Sequence, residues 1–523
     1  MRGSPLTFLQ RDEPVGLDWI PEPLVQFRHG QCVEDPRDGL ALFGPLESPP
    51  VDGVRVGVVG TPLGLSLYKA WAERLTHALV PDIDDVRRVA FPGFEAVFQA
   101  TWRPKPSIEI AIPDAALKRA LYLDDRPLRV ARTARLYTDR ILEAEQNADI
   151  PVDVWFVVAP EEVYKYCRPL SPMAEASKRV ASGVRVSSEQ ARSLLDGSFL
   201  FPEIVAAEIE AAQAMEYDSD FRRQIKLRLL GRRVVSQLVL ESTLRGHGYG
   251  RPARSVLERG IFEANAAWRL GTAAYFKAGG RPWRSADVRP GVCYLGLTFR
   301  RLSGPRDDGR SACCAAQMFL DSGDGLVFKG AVGPWYSTGS GQFHLDRKSA
   351  RDLVAKAVHA YRLEDPEGRA PDELFVHGRT RFQSEEWAGV VEGAGDETTV
   401  TGVKIWERTS TRVYRTERFP VIRGTVLRSG ERDALLWTKG YVPRLQTLTG
   451  LEVPKPLHIE VVRGDTPIET VLRDVMALTK LNYNSVDFAD GQPVTLRFAD
   501  RVGEILTAGP EVPDAPLPFR LYV

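Results

Sequence analysis

Ten basic side chains lie between Phe221 and Gly260, against two acids, Glu241 and Glu258. Among them are residue types that could hold a phosphate. Arg222 and Lys226 are four residues apart and share one face if the segment is helical. Gln237 comes eleven residues after Lys226, and Lys277 lies at the end of a second helical segment, AAWRLGTAAYFKAGG. A monophosphate is held by donors converging from different elements, with lysines as point charges and an amide to fix orientation. The Gly-rich turns of RGHGYGRP that follow the basic run suit a phosphate-binding surface. The stretch just before it is the reverse: Glu203, Glu208, Glu210, Glu216, Asp218 and Asp220, with no base among them.

Other chemistries lack their residues. The chain has no GxxxxGK[ST] loop, no HExxH and no GxSxG elbow, and its seven His are scattered. Ser340 between Gly339 and Gly341 reads as a flexible turn rather than a nucleophile. An NAD-binding reading of VRVGVVGTPLG lacks a full GxGxxG opening a helix with an acid some 20 residues on. Cys32, Cys167, Cys293, Cys313 and Cys314 form no CxxC pair, so neither a disulfide framework nor a zinc finger is expected. Vicinal Cys313 and Cys314 read as structural, in a strand.

The elements that must carry these residues follow from period and punctuation. Residues 1–50 are rich in Pro and Gly and read as an extended lead-in with little helix. Val54–Gly60 is a short, β-branched, buried strand, and Leu65–Ala78 has apolar residues at helical spacing. Ile150–Ala159 is a second buried strand, and Pro160-Glu161-Glu162 opens a helix with its acids at the positive end of the dipole. Strand and helix alternating in this way indicate a parallel α/β sheet over 51–285. Beyond Trp283 the pattern becomes a meander, Gly291–Arg300, Ser311–Leu320 and Gly325–Val332. A helix at Ala350–Arg362 and a strand at Glu373–His377 follow, so 286–523 reads as a distinct mixed α/β domain.

On these residues the chain resembles the short prokaryotic Argonautes, which have only the MID and PIWI domains. The basic helix, Gln237 and the FKAGG close at Phe276–Gly280 resemble the MID pocket for a guide strand's 5′-phosphate. The resemblance assigns that role to Arg222, Lys226, Gln237 and Lys277, with Arg222 departing from the aromatic residue usual at its position. YLGLTF (Tyr294–Phe299), ELFVHGRTRF (Glu373–Phe382) and the tail Leu478–Gly503 resemble PIWI segments, and FRHGQCVEDPRDGLALFGP followed by VRVGVVGT resembles the family's front end. The implied fold is α/β: a Rossmann-like MID domain followed by an RNase H-like PIWI domain.

An active PIWI site needs four side chains, mostly carboxylates, to hold two divalent ions about 3.5–4 Å apart. The matching positions read Thr298, His344, Arg379 and Asp500, so only one acid remains and the resemblance implies a chain that does not cut. The alternative is an active guide-directed nuclease with an atypical metal site. For the closing PLPFRLYV, the family assigns the Val523 carboxylate to a Mg2+ ion beside the guide phosphate. The implied partners are a small guide RNA and complementary single-stranded DNA. The family also implies a companion APAZ-domain effector as heterodimer, with a TIR, sirtuin-type or nuclease module.

Composition bounds these expectations. The 523 residues suggest two or three domains, and 43% hydrophobic content is enough for large cores. The 69 Lys and Arg balance 69 Asp and Glu, so the net charge is zero and any nucleic-acid surface must come from segregated charge. MRGSPLTFLQRDEPVG has no apolar centre, which together with the sparse cysteines suggests a cytoplasmic protein.

Overall fold

The computed structural model describes residues 16–49, 53–83, 90–149, 151–197, 199, 201, 203–301, 312–319, 325–337, 341–407, 410–416, 419–448, 453–510 and 516–523. Ile150, Ser311, Leu320 and the Gly339–Ser340 turn lie outside them, as do the side chains of Cys313 and Cys314, whose backbone runs in the strand Ala312–Phe319.

In the first half, strands Val56–Gly60, Ile108–Ala111, Val154–Ala159 and Ser236–Leu240 form one sheet, and every neighbouring pair is parallel. In space, Ile108–Ala111 lies at one edge, followed by Val56–Gly60, Val154–Ala159 and Ser236–Leu240. Val56–Gly60 and Val154–Ala159 are buried along their whole length, as parallel strands covered by helices on both faces must be. Thr61 caps the helix Pro62–Arg74 by accepting a hydrogen bond from the Gly64 N–H at 2.9 Å, with Pro62 in the first turn. The 22-residue helix Arg126–Asn147 packs on the helix Phe221–Leu230.

The second half is built on a ten-stranded sheet. Glu373–Gly378 runs parallel to Val292–Arg301 on one side and to Thr399–Trp406 on the other. The Val292–Arg301, Ala312–Phe319 and Gly325–Gly333 strands form an antiparallel meander. The helix Val494–Leu506 lies against the start of this meander. It comes so close that a Cβ on Gly296 would stand 2.0 Å from Thr495 O, so only glycine permits this packing.

The lead-in differs from its sequence reading. Pro36–Phe43 is an eight-residue helix in which the Asp35 carboxylate accepts from the Arg37 N–H, and Pro36 sits in the first turn rather than acting as a breaker. Leu17–Trp19 pairs antiparallel with Thr425–Arg428 and forms one edge of the second sheet. Glu22 sits between Arg423 and Lys480 at 2.8 and 2.6 Å, a buried ionic group in which one carboxylate serves two cations.

One hydrophobic core runs from Val56 and Trp268 in the first half to Phe498 and Val523 in the second. Its hinge is Trp283, fully buried, which donates Nε1–H to Lys480 O and whose own carbonyl accepts from the Tyr483 hydroxyl, both at 3.0 Å. Burying a side chain of this size contributes about 2–3 kcal/mol. None of the described helices is long and apolar enough to cross a membrane.

Candidate functional site

The helix Phe221–Leu230 is capped by Asp220, whose carboxylate accepts from the Arg223 N–H at 3.0 Å. Its apolar face (Phe221, Ile225, Leu229) is buried, and Lys226 is drawn in with it at 3% exposure. Lys226 Nζ donates to Ser236 O at 2.7 Å and to the backbone oxygen of Val523 at 2.5 Å. Lys277 ends the long helix Val256–Lys277, is 2% exposed, and donates from Nζ to Gln237 Oε1 at 2.5 Å. The structure thus gathers Lys226, Gln237, Lys277 and Val523 from two helices, a strand and the last segment of the chain. That segment is held by Phe519, which packs on Phe276 and Phe498 at 6.3 and 4.8 Å between ring centroids.

The electrostatics of this cluster are unbalanced. Burial pushes both ammonium groups well below the usual lysine range; Lys277 and Arg222 lower Lys226 further, and Arg222 lowers Lys277. Neither lysine forms an ion pair with an Asp or Glu side chain among the described residues. Arg222 is half-buried in the first turn of its helix, at the positive end of the dipole, where a cation is disfavoured. It has no hydrogen-bond or ion-pair partner among the described residues, and burial lowers its guanidinium. Arg501, from the helix Val494–Leu506, also has no such partner; burial, Arg222 and Arg497 all act to lower it. Asp220 and Glu504 act on Arg222, and Asp490 and Glu504 on Arg501, but burial outweighs them, and an anion bound among these cations would offset that cost.

Arg501 lies within the tail quoted above but was not singled out from sequence. Asp500 and Arg501 are consecutive, so on a helix they do not share a face. Arg501 is in the electrostatic neighbourhood of Arg222, and Asp500 forms an ion pair with Arg379. Two acids of the stretch 203–220 are held by other arginines: Glu210 pairs with Arg132 at 2.7 Å, and Asp218 with Arg223 at 2.5 Å.

The four positions matched to a metal-binding tetrad have a different character. The register His377↔Gly296 carries Arg379 and Thr298 toward the same end of neighbouring strands. Thr298 is 5% exposed. Burial raises the Asp500 carboxyl, and Arg379 offsets part of that. His344 is taken by another partner, its Nδ1 lying 3.1 Å from Glu386 Oε2 on the helix Ser384–Ala394. His377 is fully buried, with Nδ1 2.9 Å from Thr495 Oγ1, and burial depresses its imidazole to about 3, so it is neutral. Among the described residues, no three His, Cys, Asp or Glu side chains gather in a way that could hold a metal ion. Cys167 is inert for the same reason His377 is neutral: burial pushes its thiol up to about 12.

Neither a family model nor a curated protein sequence matches the chain. Solved structures do. The chain is similar to Clostridium butyricum Argonaute bound to a guide DNA and a 19-mer target DNA, with TM-score 0.60 and 13% identity, covering 95% of this chain and 53% of that one. It is similar to Drosophila Piwi with TM-score 0.55 and 14% identity, covering 97% and 56%. Against Aquifex aeolicus Argonaute the TM-score is 0.51 at 15% identity, covering 97% and 57%. The chain therefore spans about half the length of these structures. The fold is that of an Argonaute: a Rossmann-like MID half followed by an RNase H-like PIWI half.

Proposed function

We propose that this chain is the guide-dependent recognition subunit of a prokaryotic defence system. It binds a small guide RNA by its 5′-phosphate and pairs it with complementary single-stranded DNA. The observation that carries the reading is the buried set of Lys226, Gln237, Lys277 and the Val523 oxygen, with Arg222 in the electrostatic neighbourhood of both lysines and Arg501 in that of Arg222. A phosphate seated there would accept from both ammonium groups and Arg222, while the Gln237 amide orients it. Base pairing would supply sequence specificity, and the protein would read backbone shape and charge.

The pocket is compatible with Mg2+ in a restricted way. The anionic oxygen bonded within it would be the carboxylate of Val523, already held by Lys226. An ion would therefore be held only jointly with phosphate oxygens, as Mg2+ commonly is. When bound, it would neutralise phosphate charge.

The chain would not cut its target. Arg379 occupies the second tetrad position and pairs with Asp500, the one remaining acid, and Thr298 supplies no charge at the first position. A cation in that place opposes two divalent ions. We propose that the effector is a companion APAZ-domain chain with a TIR, sirtuin-type or nuclease module, switched on when target binding changes the conformation of this subunit. The RNA guide and the APAZ partner rest on the sequence resemblance. Capture on an immobilised single-stranded DNA tests the reading: retention only with a complementary, 5′-phosphorylated guide supports it, and equal retention without guide overturns it.

A further inference from the structure

The RGHGYGR turn that follows the short helix Glu241–Leu244 plays no part in the pocket. It follows the far end of strand Ser236–Leu240 from Gln237, which spans roughly 10 Å along the strand alone. The turn is tight: the Arg251 N–H donates to Gly248 O at 3.1 Å, and Gly246 and Gly250 have φ of 87° and 62°. This backbone lifts Tyr249 to a tip where it is 41% exposed. Its ring stands 4.6 Å from that of Tyr164, at 61°. The guanidinium of Arg168, four residues after Tyr164, covers the Tyr164 ring at 3.7 Å.

We propose that Arg168, Tyr164 and Tyr249 form a stacking platform for an unpaired base of single-stranded nucleic acid, separate from the cation pocket. Aromatic rings and guanidinium planes are the surfaces on which splayed bases stack, and they do so with little regard to sequence. The charges nearby favour a polyanion. Arg168, Arg251 and Arg254 form no ion pair among the described residues. Two of the neighbouring acids are engaged: Glu162 accepts from the Tyr122 hydroxyl at 2.9 Å, and Glu241 accepts from Thr61 at 2.7 Å and pairs with Arg245 at 3.5 Å.

The platform is also rigid before any ligand arrives. The Ser171 N–H donates to Arg168 O at 3.1 Å, and Ser171 Oγ donates to Tyr166 O at 2.8 Å. Between them Leu170 is 91% exposed with φ of 61°, a left-handed backbone that is strained for leucine. A large apolar side chain held out in this way beside Arg168 would contact a stacked base or ribose.

Two probes on the full chain test the platform. A 5′-hydroxyl oligothymidylate of twelve nucleotides should bind Tyr249→Ala or Arg168→Ala at least fivefold more weakly than the unaltered chain. Tyr249→Phe, which keeps the ring, should remain within twofold. A nucleoside 5′-monophosphate, too short to reach from the pocket, should bind all variants alike. Unchanged oligothymidylate affinity in the Arg168→Ala/Tyr249→Ala double variant would overturn the platform. Parallel loss of both probes would also overturn it, because the substitutions would then act through the fold.

Discussion

Lys226 Nζ lies 2.5 Å from the backbone oxygen of Val523, a contact between residues 297 positions apart. It is the point where the MID-like helix meets the last segment of the PIWI-like half. A ligand seated there would touch both halves of the fold at once, which makes the cation pocket a joint as well as a binding site.

Arg501 should belong to that joint functionally. Arg501→Ala is expected to weaken binding of a 5′-phosphorylated guide about three- to tenfold, as for loss of one charge-assisted contact. Removing one phosphate contact to a single strand should also lower the slope of log K against log salt by about 0.7. Titrations at several salt concentrations measure both effects.

The Arg379–Asp500 pair predicts a gain rather than a loss. Both side chains are nearly half exposed, so the pair itself is worth only about 0.5–1 kcal/mol. Asp500→Asn should free Arg379 for a target phosphate and raise target affinity of the guide-loaded chain about two- to fivefold. Cleavage with Mg2+ or Mn2+ should stay absent in the variant and in the unaltered chain, as read on a labelled target.

His377 sets an acid limit on stability. Its folded-state value near 3 lies below the unfolded value near 6.5, so the unfolded chain binds the extra proton first. Stability is therefore lost as pH falls from about 6.5 toward 3, amounting to about 2 kcal/mol at pH 5. In His377→Phe, Tm should fall less between pH 7.5 and pH 5 than in the unaltered chain. Thermal melts at the two pH values give the comparison.

Glu504 stitches the halves together, accepting from Arg223 at 3.0 Å and from Arg300 at 3.2 Å. Glu504→Gln should cost about 1 kcal/mol, below the value for a fully buried pair because Arg300 is 43% exposed. Denaturant melts of Glu504→Gln, Arg223→Gln and the double variant should show non-additive losses.

The sequence showed some parts of this structure more openly than others. The spacing of Lys226, Gln237 and Lys277 alone is common by chance and was singled out through the family resemblance, whereas strands such as Val154–Ala159 announce themselves by an unbroken apolar run. Arg501 was not legible in the same way, because its nearness to Arg222 depends on how two helices 270 residues apart are packed. His344 was reached by counting residues along the chain, and a count does not reveal that the Glu386 carboxylate holds the ring. The helix Pro36–Phe43 was missed because proline reads as a breaker unless the Asp35 cap before it is weighed. Arg126–Asn147 went unread because Pro127 and its many charges mask the apolar stripe of Leu128, Ala131 and Ala134.

The most direct measurement compares the Kd of one guide sequence carrying a 5′-phosphate with that of the same sequence carrying a 5′-hydroxyl. It is made on the unaltered chain and on Lys226→Ala/Lys277→Ala. The unaltered chain should prefer the phosphate on the order of 10–100-fold, and the double variant should lose most of that preference while still binding the hydroxyl guide. Equal affinities for the two guides in the unaltered chain, or equal losses for both in the variant, would contradict recognition of a guide's 5′-phosphate by this pocket.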